Sequence, residues 1–178
     1  DRNNLHVYLE KHFGMQLHLL HRLDRPTSGL IAFAKNPAAA AHFSAQFRDH
    51  TIGRSYRAIG VGVLAEETRR VDLPLEGRDA TTIFRRLDVA TNATLLGAEL
   101  LTGRTHQVRL HAEHLGHPLA GDSKYGRALT RRLPRRAPRL ALHAESLSVT
   151  LPSGERLELH AEFPADLDAY WTSLKNAQ

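Results

Sequence analysis

The chain has 178 residues and no cysteine, is 42% hydrophobic and 24% charged, and carries a formal net charge of +5. That length fits one compact domain, 1–178, that buries a core without covalent staples, and the lack of cysteine excludes a disulfide scaffold, a cysteine nucleophile and a thiolate zinc site. The composition is that of a globular chain rather than a disordered one, and no apolar run approaches the roughly 18 residues needed to span a bilayer.

Asn3 or Asn4 can cap a first helix. Leu5, Tyr8, Leu9, His12 and Phe13 follow at helical spacing, and Gly14 suits its end. Residues 17–24 read as a strand ending in His21-Arg22-Leu23-Asp24. Pro26-Thr27-Ser28-Gly29 is turn chemistry, and residues 30–34 read as a buried strand. Asn36 and Pro37 open a second helix whose apolar stripe is Ala40, Phe43 and Phe47. Residues 54–64 read as a strand, 65–81 as a charged, turn-rich stretch, and 83–91 and 94–101 as two strands joined by a tight turn at Asn92. A helix of about 105–115 follows, opened by Gly103-Arg104-Thr105 with Thr105 as its cap, and stopped by Gly116 and Pro118. A loop over 119–138 comes next. A hairpin over 147–151 and 157–161 turns at Ser153-Gly154, and a last helix after Pro164 presents Leu167, Trp171 and Leu174 to the core. Strands and helices do not alternate strictly, so the pattern predicts an α+β fold with a largely antiparallel sheet flanked by helices.

The excess positive charge is concentrated in one place. Residues 123–144 hold Lys124, Arg127, Arg131, Arg132, Arg135, Arg136 and Arg139 with no Asp or Glu, while the rest of the chain is slightly acidic. Such a stretch is either a solvated loop or a docking surface for a polyanion, nucleic acid first.

Two clusters can carry chemistry. In His21-Arg22-Leu23-Asp24-Arg25-Pro26-Thr27-Ser28-Gly29 a carboxylate lies between two arginines at a strand end. Strand alternation would put Arg22 and Asp24 on one face. Asp is depleted in strands, so Asp24 is either a structural ion-pair partner or a functional group. In Gly103-Arg104-Thr105-His106-Gln107-Val108-Arg109-Leu110-His111 an arginine opens a helix, where the macrodipole disfavours positive charge. Arg104 therefore either points to water or meets an anion. His106, His111, His114 and His117 lack an HExxH pattern and read as solvated or partner-facing rather than metal-binding. His21 reads as a hydrogen-bonding support for its motif.

Together, HRLDRPTSG and GRTHQVRLHAEHLGHPLAGDSKYG resemble the RluA-type pseudouridine synthases, which isomerise uridine to pseudouridine in structured RNA. Phe33-Ala34-Lys35, Arg54-Ser55-Tyr56, Leu142-His143-Ala144 and the closing GERLELHAEFPADL extend the likeness over roughly residues 4–170. The family's usual Lys-Pro-x-Gly segment and the S4 domain of many relatives have no counterpart here. With Asp1 first, the sequence is expected to be either truncated or unusually short at its N-terminus.

The resemblance implies a catalytic set of Asp24, Tyr56 and Arg104. Asp24 acts on C1′ or on the C2′ proton, Arg104 pairs with it, and Tyr56 stacks on the uracil and assists at C5. Leu142 would wall the base pocket. Arg22, Arg25, Arg109, Lys124, Arg131, Arg132, Arg135 and Arg136 would bind RNA, with Arg22 filling the gap left by a flipped base. No cofactor and no metal are implied, and the expected state is a cytoplasmic monomer with rRNA or tRNA as partner. An RNA-binding or chaperone domain that keeps the fold without the chemistry is the competing reading. A glycosidase is set aside because no second carboxylate accompanies Asp24 in the sequence.

Overall fold

The computed structural model describes residues 4–126 and 128–177. Helix α1 spans Leu5–Phe13. Asn4 caps it by accepting from the His6 N–H, and Gly14 closes it in the left-handed conformation. The next three strands are very short: β1 (His18–Leu19), β2 (Ser28–Gly29) and β3 (Phe33–Ala34). The strand expected over 17–24 thus ends at Leu19, and that over 30–34 is reduced to two residues. Antiparallel pairing of β1 with β3 fixes this segment, after which the chain enters a turn in which the Thr27 N–H donates to the Asp24 carbonyl at 2.8 Å. Helix α2 (Pro37–Arg48) has Asn36 as its cap and proline in its first turn.

The main sheet uses β4 (Gly53–Val61), β5 (Thr68–Asp72), β6 (Thr81–Ala90), β7 (Ala93–Leu100), β8 (Leu142–Thr150) and β9 (Arg156–His160) in addition to β2. The order is β2-β8-β4-β7-β6-β5, with β9 pairing the second half of β8. The β2–β8 pair is parallel and the other pairs are antiparallel. Gly29 makes the parallel pair possible: its φ is 112°, and a Cβ there would lie 2.2 Å from the Ala144 carbonyl oxygen. Strand β5 falls inside the stretch expected to be turns. It is an edge strand on which Val71 is the one buried residue, so its sequence shows charge rather than alternation.

Alternate residues of the sheet feed two cores. On one face Ala58, Phe84, Leu96, Ala98 and Leu142 pack against Val108 and Ala112 of α3 (Gln107–His114). On the other, Ile59, Val61 and Ala93 meet Leu167, Tyr170, Trp171 and Leu174 of α4 (Ala165–Lys175), the stripe expected from the sequence. Burial of each such large side chain is worth about 1.5–3 kcal/mol. Ile52, Leu147 and Val149 bring in Phe43 and Phe47 of α2. The loop after α3 is irregular apart from a 3-10 turn at Leu129–Arg132, and its Arg127 lies outside the described residues. The structure holds no helix long and apolar enough to cross a membrane among the described residues.

Candidate active site

A cleft of about 870 Å³ opens where the segment after β1, the end of α2, the start of β4 and the loop before α3 converge. Arg22, Asp24, Arg54, Tyr56, Arg104, His106, Arg109 and Leu142 all line it. The two sequence clusters, some eighty residues apart, therefore share one cavity.

Asp24 does not pair with Arg104. Its Oδ2 accepts from Arg109 Nη1 at 3.0 Å. Arg104 instead donates from Nε to the Asp79 carbonyl at 2.9 Å, at the cleft mouth. The cause is where the helix starts. The helix begins at Gln107 rather than Thr105, and His106 precedes it with φ 56° and ψ 22°. No Thr105 cap forms. The Gln107 side chain acts in its place, accepting from the Arg104 N–H at 2.9 Å and from the Thr102 hydroxyl at 2.8 Å, while its amide donates to Thr81 and Thr82. Arg104 is left in the loop, and Arg109, in the first turn of α3, points at Asp24.

Arg109 was expected to touch RNA, but it is buried and doubly paired. Its Nε and Nη2 donate to Asp122 at 2.7 and 2.9 Å, and its Nη1 goes to Asp24. The Asp122 hydrogen bonds raise its pKa above the ordinary arginine range against the opposing effect of burial, and Asp24 adds to the rise. Burial pushes the Asp122 carboxyl up, but the bonds from Arg109 and from the backbone N–H groups of Tyr125 and Lys124 outweigh it and leave it low. A second carboxylate thus does accompany Asp24, at one guanidinium's remove. Nothing in the spacing pointed to Asp122, because its partner stands thirteen residues away across a turn.

His106 has a left-handed backbone, which costs a non-glycine residue about 1–2 kcal/mol. It places the ring with Nδ1 at 2.8 Å from the Tyr125 hydroxyl and Nε2 at 3.8 Å from Asp24 Oδ1. Among the described residues Oδ1 accepts no hydrogen bond. The carboxylate therefore has one oxygen held and one open to the cleft.

Tyr56 enters the cleft just after a bulge in β4, between Ser55 and Tyr56, a common means of re-aiming a side chain. Burial raises the Tyr56 phenol above its usual pKa; Arg54 opposes this and Asp24 adds to it. The group is thus a neutral hydroxyl with an apolar face. Arg54 stacks over Phe47 at 5.7 Å and donates to the Thr102 carbonyl at 2.9 Å. Glycine at 103 leaves room for it, since a Cβ there would sit 2.5 Å from Arg54 Nη1. His21 accepts from the Ala32 N–H at 3.0 Å and stacks on Phe47, the supporting place expected of it. Burial, then the Arg54 charge, lowers its pKa to about 4.

Other expected contacts separate into two groups. Arg22, Arg25, Lys124, Arg131, Arg132, Arg135 and Arg136 are exposed. Arg139 of the same loop is not free: it grips Asp166 with two bonds and reaches the Ser28 hydroxyl. Among the histidines, His111 is a core residue rather than a solvated one, held by Thr82 and the Leu73 carbonyl.

The family described as RNA pseudouridylate synthase matches residues 2–114, a span that contains both clusters of the cleft. The chain belongs to that family. It is 37% identical over 180 residues to a ribosomal large subunit pseudouridine synthase C of Vibrio cholerae, covering 90% of this chain and 56% of the relative. It is 38% identical over 179 residues to a ribosomal large subunit pseudouridine synthase D of Zymomonas mobilis, covering 88% and 56%. The chain thus spans about half the length of the curated relatives it matches. Among solved structures, human RNA pseudouridylate synthase domain containing 4 superposes with a TM-score of 0.78 at 25% identity, over 96% of this chain and 80% of that one.

Proposed function

We propose that this chain converts uridine to pseudouridine in structured RNA, with Asp24 as the reacting group. The observation that carries this reading is the Asp24 carboxylate, held through Oδ2 by Arg109 and open at Oδ1, in a cleft walled by Tyr56 and Leu142. The reaction breaks the N1–C1′ bond, turns the uracil, and joins C5 to C1′. The C5 proton leaves and N1 gains one, so there is no net redox change. Attack on C1′ and removal of the C2′ proton both call for an ionised oxygen beside the ribose, and Oδ1 is the oxygen available for either.

Tyr56 offers its face to the uracil. Its raised pKa argues for a hydroxyl donor rather than a tyrosinate base at C5. A stacked uridine reaches such a pocket only when flipped out, at a cost of a few kcal/mol. Arg22 is exposed at the rim and supplies a side chain to occupy the vacated stack. Arg25, Lys124, Arg131, Arg132, Arg135 and Arg136 supply phosphate contacts, which position RNA without reading its sequence. The names of the relatives favour large-subunit ribosomal RNA over transfer RNA as the substrate.

The test is tritium release from RNA labelled at uridine C5. Wild-type protein should release tritium from a ribosomal transcript and D24N should not, with RNA binding retained within about twofold. R22A should lose more on folded transcript than on a short unstructured one. Absence of release from ribosomal and transfer RNA alike, despite binding, would favour a non-catalytic RNA-binding domain.

A further inference from the structure

Arg109 stands between two carboxylates with very different surroundings. The Asp122 side chain is 1% exposed and the Asp24 side chain 19%. Asp122 takes the parallel Nε and Nη2 donors at 2.7 and 2.9 Å and leaves Nη1 for Asp24. Asp122 is itself fixed, because its Oδ1 also accepts from the Lys124 and Tyr125 backbone N–H groups at 2.9 and 3.0 Å. The same turn puts the Tyr125 ring 5.0 Å from the Arg109 guanidinium and its hydroxyl on His106.

A guanidinium offered one carboxylate alone pairs with it through two parallel bonds. Arg109 would do so with Asp24 if its Nε–Nη2 edge were free. Both Asp24 oxygens would then be engaged, and the full positive charge would rest on the reacting group. With Asp122 present the edge is occupied and the charge is shared. The cluster of two carboxylates and one guanidinium keeps a net negative charge, and the open oxygen lies on the Asp24 side, facing the cleft.

We infer that Asp122 is a positioning residue for the reaction. It holds Arg109 by its far edge, so that Asp24 is anchored through Oδ2 and keeps Oδ1 for the ribose. This rests on the function proposed above and adds to it a residue that touches no substrate.

Asp122→Asn tests the inference. At saturating RNA, kcat should fall on the order of a hundredfold, as misplacement of a reacting group does, while the RNA Kd stays within about twofold. Asp122→Glu should recover at least part of the loss. If Asp122 acts only through Arg109, the double variant R109Q/D122N should be no slower than R109Q alone. A wild-type kcat in D122N overturns the inference, as does a double variant much slower than R109Q. The double variant removes both buried charges together, a change proteins tolerate better than loss of one partner. If D122N does not fold, the comparison of R109Q with the double variant still decides. A crystal structure of D122N gives a reading independent of turnover. Arg109 paired with both Asp24 oxygens supports the inference, and Arg109 unmoved overturns it. That measurement stands even if the wild-type protein releases no tritium, which would count against the proposed function instead.

Discussion

Arg104 and Arg109 sit in one short motif, and their sequence contexts favour the wrong one. Arg104 precedes the helix and looks like a residue waiting for an anion, whereas Arg109 looks like one more base on a helix face. The deciding contact joins Arg109 to Asp24 across 85 residues, and such a contact leaves no local trace. Asp24 itself was legible through the resemblance of its motif, not through its place in a strand, since the strand expected to carry it ends at Leu19. The start of α3 was not, because a buried glutamine side chain caps the loop where a threonine was available. The two arginines should therefore differ sharply when replaced. R109Q should lower kcat on the order of 10²–10³-fold, the scale for removing a preorganised charge at a reacting centre. It also leaves Asp122 buried without its partner, so a fall in melting temperature should accompany the kinetic loss. R104Q should keep kcat within about threefold and act mainly on KM, since its contact is a carbonyl at the cleft mouth. Steady-state kinetics on one transcript separates them, and equal kcat losses would return Arg104 to the catalytic set.

Elements with their own local signals were the readable ones. Asn4 and Gly14 bound α1, Asn36 and Pro37 open α2, and Asn92 turns β6 into β7 with a φ of 55°. Elements fixed by distant partners were not. The two-residue strands β1, β2 and β3 exist through pairing with one another or with β8, and β5 hides its single buried valine among charges. The basic loop falls between these cases. Its charge was evident, but its attachment was not: Leu129, Leu133 and Ala137 seat it on the α4 core, and the Tyr170 hydroxyl donates to the Arg135 carbonyl at 2.9 Å. Arg139 is consumed by Asp166, whereas Arg131, Arg132, Arg135 and Arg136 face solvent on a backbone tied down at both ends. The four exposed arginines should then act together on RNA. Replacing all four with Gln should flatten the slope of log binding constant against log salt by up to about 3.6, from roughly 0.7 to 0.9 per phosphate contact. The melting temperature should hardly change, because none of the four guanidinium groups has a bond in the fold among the described residues. Filter binding across a salt series measures the slope, and an unchanged slope would leave the loop a solvated surface. R139Q is the contrasting variant: it should lower stability by removing a two-pronged pair while altering the slope little.

At the scale of the whole molecule, the sheet is held partly by neutral histidines that join distant segments. His21 ties the segment before Asp24 to Ala32 and to Phe47 of α2. His111 links α3 to Thr82 of β6 and to the Leu73 carbonyl. His143 bonds Ser28 on β2 and faces the Ala161 carbonyl. Burial lowers the pKa of all three, and for His21 the Arg54 charge lowers it further, to about 4. A histidine near pH 6.5 when unfolded and near 4 when folded binds more protons in the unfolded chain between those values. Its contribution is therefore complete above about pH 6.5 and is lost as pH falls toward 4. For His21 alone the linkage is worth about 3–4 kcal/mol at its limit. His111 and His143 act in the same direction. Asp122 has a depressed pKa, and its contribution is lost only at lower pH, as the medium passes below the ordinary carboxylate range. Denaturant titrations at intervals from pH 7.5 to 4 should show stability level at first and then falling below about pH 6.5. H21Q keeps an acceptor for the Ala32 N–H but cannot titrate, so its curve should fall less steeply over the same interval, whatever its stability at pH 7.5. A wild-type curve that stays flat to pH 4.5, or an H21Q curve parallel to it, would show that protons enter elsewhere. Because His21 is next to Arg22 and three residues from Asp24, the same acid should loosen the cleft before the sheet. Hydrogen exchange at the Ala32 amide, compared with amides of β7, would then rise first as pH is lowered.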